Sequence, residues 1–157
     1  MEDRLTIVSL GQHTRLLKVL LPALCDVPYT LVSAADANDL QNKRVLFAVS
    51  ADAFGQVTGL DALLRRLRQE QDAMQGSVGA LLLDGQTELY TKDLARTLLF
   101  DANRAGCALL GRSLVEATGS LQNYTVRASV EKIDMFTAYA RAANELVKRL
   151  QTYAPTR

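Results

Sequence analysis

The sequence has no tryptophan, one histidine, two cysteines and three prolines in 157 residues. Each shortage removes a class of chemistry. His13 with the distant Cys25 and Cys107 gives no zinc-ligand spacing. Nothing pairs His13 with either thiol, so a cysteine nucleophile lacks its base. Two cysteines in apolar surroundings read as buried, reduced thiols of a cytoplasmic protein. No apolar run approaches the roughly 18 to 20 residues of a membrane span. The opening Met1-Glu2-Asp3-Arg4 leads straight into a strand pattern and is no secretory signal. The formal net charge is +1, so no global field favours nucleic acid or a membrane surface. The densest basic cluster, Arg65, Arg66 and Arg68, has Glu70 and Asp72 close behind and reads as a solvated helix face. The nucleophile elbow Gly-x-Ser-x-Gly and the phosphate loop Gly-x-x-x-x-Gly-Lys-Ser/Thr are also missing.

What is present is an alternation of short apolar strands and amphipathic helices, in a chain that is 48% apolar and 22% charged. That length and balance suit one soluble domain, residues 1–157, with a sizeable core. The pattern predicts strands over Arg4–Ser9, Tyr29–Ser33, Arg44–Ser50, Val78–Leu83 and Cys107–Leu110. It predicts helices over Thr14–Cys25, Gly59–Met74, Tyr90–Ala105 and Ala128–Thr152. In the first helix Leu16, Leu17, Leu20 and Leu24 share a face, and Pro22 suggests a kink or an early end. In the last, Val130, Ile133, Thr137, Ala140, Ala143, Val147 and Leu150 form the inner stripe. Gly76 and Gly106 read as helix stops, and Asp84-Gly85 as a turn. The link Ala34–Lys43 has room for one or two helical turns around Asp36–Gln41, no more. Gly111–Asn123 reads as a loop, with Leu114-Val115-Glu116 able to extend the strand past an interruption.

This order predicts a three-layer α/β/α sandwich around a five-stranded parallel sheet, in the flavodoxin-like order 2-1-3-4-5. A receiver domain shares that topology, but Ser9-Leu10 and Leu110-Gly111 stand where it needs an acidic pair and a lysine. Ligands in such sheets lie at the carboxyl ends of the strands. After the first strand, Ser9, Gly11, Gln12, His13 and Thr14 lead into a helix N-terminus, whose free N–H groups and dipole favour an anion. Arg15 adds charge. The same residues also suit a plain turn at Gly11 and a helix cap at Thr14.

Ser9-Leu10-Gly11-Gln12-His13-Thr14 resembles the phosphate loop of the NADPH-dependent FMN reductase group, where Ser-Leu opens the loop and a Ser or Thr closes it. That group often has a basic residue where Gly11 stands. The Thr-x-Thr-Gly-x-Thr loop of electron-carrier flavodoxins is absent. The stretch after the third strand, Ala51–Leu60, resembles the group's second loop: Phe54 takes the aromatic place, beside Gly55 and Gln56, and Gly59 the helix-start glycine. The group's Pro and Asn are missing there. A third loop, Asp84–Lys92, supplies Gly85 and Tyr90 where the group lines its flavin. Phe54 also fits as an ordinary loop or core aromatic, and Thr87 as a helix cap with Tyr90 on the surface. Glu88–Lys92, Ala105–Ala108 and Leu114–Leu121 resemble uncharacterised bacterial flavodoxin-like proteins.

The resemblance implies an FMN-binding flavodoxin-like protein, of the NAD(P)H-dependent FMN/quinone reductase kind, working as a homodimer or higher homo-oligomer. Ser9, Gln12, His13 and Thr14 would hold the phosphate, and Phe54, Gly55 and Tyr90 the isoalloxazine. The flavin carries the redox chemistry, so no catalytic side chain and no metal are expected. Glu116 is a further polar group facing the same rim. The departures in all three loops equally suit a non-enzymatic relative with degenerate flavin loops, acting as an interaction or assembly subunit.

Overall fold

The computed structural model describes residues 4–11, 14–88 and 90–153. Strand β1 (Leu5–Leu10) leads to helix α1 (Thr14–Ala23) and edge strand β2 (Tyr29–Ser33). Strand β3 (Arg44–Ala51), helix α2 (Leu60–Gln69), strand β4 (Val78–Gly85), helix α3 (Thr91–Arg104) and strand β5 (Ala108–Thr118) follow. A 3-10 turn at Gln122–Tyr124 precedes helices α4 (Thr125–Glu131) and α5 (Met135–Thr152). The strands form one parallel sheet in the order β2-β1-β3-β4-β5, as the sequence predicts.

Every residue of β3 and β4 is buried, because helices cover both faces. On one face Leu5, Ile7, Leu46, Ala48, Ala80 and Leu82 pack under α1 and α5. On the other, Val8, Leu10, Phe47, Val49, Leu81 and Leu83 pack under α2 and α3. At the amino end of the sheet, the buried Arg44 guanidinium donates to the carbonyls of Leu150 and Tyr153, capping the carboxyl end of α5.

Several expectations are corrected. The link after β2 holds turns and no helix; Ala37 and Leu40 bury themselves against the α2 side instead. In α1, Leu16, Val19, Leu20 and Ala23 face the core while Leu17 is exposed. The helix is apolar almost all round, so spacing alone leaves two stripes open. Helix α2 stops at Gln69, short of Met74, and turns run on to Gly76. Asp84-Gly85 is no turn but the end of β4. Strand β5 runs on to Thr118, past an interruption that brings Gly79 opposite Leu109 but Leu81 opposite Leu114. Arg112, at φ 56°, makes that break. Glu116 therefore lies within a strand.

The long last helix is two helices. Lys132 takes a left-handed conformation, and Asp134 starts α5 by accepting from the Thr137 N–H at 2.6 Å. Val130 consequently points outward, 76% exposed. Cys25 is exposed, contrary to expectation, because α1 ends before it; Cys107 is buried, and burial pushes its thiol pKa up to about 12.

Leu146→Ala, in the fully buried stripe of α5, should cost about 2 to 5 kcal/mol of unfolding free energy in urea titration. Leu21→Ala, at 58% exposure, should stay within about 0.5 kcal/mol. The backbone hydrogen bond from Thr137 lowers the Asp134 pKa. Its contribution is complete above the unfolded carboxylate's pKa and is lost as pH falls through the lower folded value. Stability measured from about pH 6 down to about pH 2 should therefore fall less steeply in Asp134→Asn than in the wild type.

Candidate functional site

The alternation of side chains along a strand carries polarity to one edge of the sheet. Ile7, Ala48 and Leu82 face the α1 side, so two residues on Ser9, Ser50 and Asp84 face it too, at the carboxyl ends. Ser50 and Asp84 are register partners across β3 and β4.

Asp84 is fully buried and ion-paired. Arg15 holds it with Nε at 3.0 and 3.2 Å and Nη2 at 2.8 Å. The Tyr139 hydroxyl donates to the same carboxylate at 3.1 Å. Burial and the adjacent Asp84 charge raise the Tyr139 pKa, so the phenol keeps its proton and remains a donor. The hydrogen bond to Asp84 raises the Arg15 pKa in turn. Arg15 also donates to the carbonyls of Gly119 at 2.6 Å and Gly85 at 3.3 Å. Its charge is thus spent inside the protein, which corrects the expectation that Arg15 adds charge for an anion. The legible signal is Asp84 itself, an acid at a core-facing position of a buried strand, which demands a buried cation.

A cavity of about 680 Å³ opens over the ends of β1, β2 and β3. Ser9, Gly11, Ser33, Ser50, Thr58 and Gln86 line it, with Asp52 and Gln56. No lysine or arginine is among its described lining residues. The Ser50 side-chain oxygen is buried and has no hydrogen-bond partner among the described residues. Gly11, at φ 76°, is held where a Cβ would sit 2.3 Å from the Ser50 carbonyl oxygen, so only glycine fits. Its N–H donates to the Thr58 carbonyl at 3.2 Å. Thr14 begins α1 and is exposed; Gln12 and His13 lie outside the described residues.

The remaining expected residues gather beside this cavity, not in its lining. Asp52 folds the β3 loop, its Oδ1 accepting from the N–H groups of Phe54 and Gln56 at 2.9 Å. Phe54 is left 80% exposed. A Cβ on Gly55 would meet the Tyr90 ring at 2.5 Å, so the β3 and β4 loops touch there. Tyr90 is 57% exposed and takes φ 67°, at the cap position of α3. That position belongs to Tyr90 and not to Thr87, whose hydroxyl reaches the Ala53 carbonyl at 3.4 Å. Gly85 ends β4, packed against Thr91. The structure therefore unites Ser9, Gly11 and Gln56 in one cavity, adds Ser50 and Thr58, and sets Phe54, Gly55 and Tyr90 along its neighbouring edge. Ser50 escapes sequence reading because nothing in an apolar strand pattern marks its terminal serine.

A five-stranded sheet in this order, with its cavity at the carboxyl ends, is the flavodoxin-like fold. No family model matches the sequence, and no curated protein matches it. Among solved structures, flavodoxin 1 from Bacillus cereus superposes with a TM-score of 0.60 at 12% identity, covering 92% of this chain and 97% of that one. A Streptococcus flavodoxin gives 0.54 at 11% identity, covering 93% and 99%. A flavodoxin, WrbA-like protein from Agrobacterium tumefaciens gives 0.57 at 8% identity, covering 98% and 100%. No helix among the described residues is long and apolar enough to cross a membrane.

Ser50→Ala removes an unsatisfied buried hydroxyl and should leave ligand-free stability unchanged or raise it by up to about 1 kcal/mol in urea titration. Gly11→Ala, strained in φ and pressed on Ser50, should lose more than about 1 kcal/mol in the same assay.

Proposed function

We propose that the protein binds FMN at the carboxyl rim, with the phosphate near the first turn of α1 and the isoalloxazine toward the Phe54–Tyr90 edge. The observation that carries this reading is the buried Ser50 hydroxyl, without a partner among the described residues, in a hydroxyl-lined cavity at the switch point of the sheet. The donor set suits a phosphate: Ser9, Ser50, Thr58 and Thr14 offer hydroxyls, and the start of α1 offers its dipole. Gln12 and His13 belong to the same loop. The two exposed aromatic side chains suit a flat apolar ring. Bound FMN would supply the electron-transfer chemistry, and the chain would hold and orient it. Use of NAD(P)H as donor, reduction of flavins or quinones, a homodimer and a cytoplasmic setting extend the same reading. It takes residues 1–157 as one domain.

One observation favours a second reading, a flavin-free interaction subunit. The Gly11 N–H is engaged by Thr58 and Arg15 by Asp84, so two groups expected at the phosphate are already occupied.

The visible spectrum of the purified protein, before and after adding FMN and desalting, separates the two. Retained flavin bands are expected. Ser50→Ala should then weaken FMN about 10- to 100-fold, the range for losing a hydrogen bond to a charged group. Ser9→Ala/Thr14→Ala should abolish retention. A protein that stays colourless sinks the flavin reading, and full retention by the double variant refutes the site assignment.

A further inference from the structure

Arg15 joins three separate parts of the rim through one guanidinium. It stands in the first turn of α1, pairs with Asp84 at the end of β4, and donates to Gly119 beyond the end of β5. Tyr139 of α5 holds the far side of the same carboxylate. Upstream, Gly11 is fixed by its bond to Thr58 and by its contact with the Ser50 backbone. Gly11 and Arg15 are thus each tied to partners within the chain, Gly11 to the loop after β3 and Arg15 to the end of β4 and the turn past β5. The tie also fixes a spacing. Asp84 is the register partner of Ser50, so holding α1 to Asp84 sets how far its first turn stands from the Ser50 hydroxyl.

We infer that Arg15, Asp84 and Tyr139 form a positioning clamp that fixes where the α1 N-terminus stands relative to Ser50, so that the three residues govern phosphate recognition without touching the ligand. The inference rests on the flavin reading. Arg15 acts as a tether and contributes no free positive charge, since its fork is already filled by the carboxylate and two carbonyls. The clamp replaces charge attraction with geometry: a phosphate is recognised by hydroxyls and backbone only if these stand at the right separation. Arg15 also meets the Gly85 carbonyl where the β4 loop begins. Phe54 and Tyr90, however, are held farther along by contacts between the β3 and β4 loops, Gly55 against Tyr90 and Thr87 to Ala53, so the effect should fall mainly on the phosphate end.

The test compares FMN with riboflavin, which has the same ring and lacks the phosphate. Both are titrated by flavin fluorescence against wild type, Tyr139→Phe, Asp84→Asn and Arg15→Gln/Asp84→Asn. The double variant leaves no buried charge unpaired, so it keeps the fold where a single change fails, and thermal unfolding checks each variant. The expected result is a wild type that prefers FMN, with an FMN Kd raised about 10- to 100-fold in the Asp84 variants, the range of a misplaced binding group. Riboflavin Kd should stay within about threefold. An unchanged FMN Kd in a folded double variant overturns the clamp and leaves the flavin reading intact, as does an equal loss for both ligands, which marks a purely structural role. A wild type that binds neither ligand overturns the flavin reading and the clamp together.

Discussion

Burial of the sheet on both faces is the constraint from which the rest of this structure follows. Strands β3 and β4 admit no solvent along their length, so a polar side chain inside them would cost several kcal/mol unless paired. Polarity is therefore pushed to the strand ends. There the sheet keeps Ser9, Ser50 and Asp84 on its α1 side, and the three meet different fates. Asp84 is neutralised from within by Arg15 and Tyr139. Ser9 opens onto the cavity, and Ser50 is left buried with an unmet hydroxyl. The row is thus divided: the charged member is spent on the fold, and the hydroxyl members stand at the cavity, where the proposed ligand would use them.

The cavity carries few charges among its described lining residues. Its lining residues include one carboxylate, Asp52, and that group is occupied in bending the β3 loop. Neutral donors are weak singly and depend on placement, which is why loop geometry matters more here than electrostatics. Gly11 illustrates the point. It contributes no side chain, yet the close contact with Ser50 leaves no room for any other residue.

How much of this was legible in the sequence follows the physics of each feature. Strand order and layering come from apolar periodicity, which burial on both faces makes strong. Boundaries failed where a local signal outcompeted the periodic one. Asp134 caps a helix inside a stretch that is apolar at helical spacing throughout, and Lys132 breaks it by adopting a left-handed conformation. The site was half visible. Gly11 and the aromatic pair stand in loops and Ser9 near the end of the first strand, where polar and glycine residues draw notice. Ser50 is an unmarked serine in an apolar strand, and the partnership of Arg15 with Asp84 spans 69 sequence positions, a range that no local pattern reports.

The cap that Arg44 places on α5 bears on how the chain is made. A central strand laid down early is tied to the carbonyls of Leu150 and Tyr153. The α1-side face of the sheet therefore has no complete cover until α5 docks. Until then Leu46, Ala80 and Leu82 lack the helix that shields them. Helix α5 thus acts as a latch: a partly folded chain with α5 undocked presents an open apolar face to water.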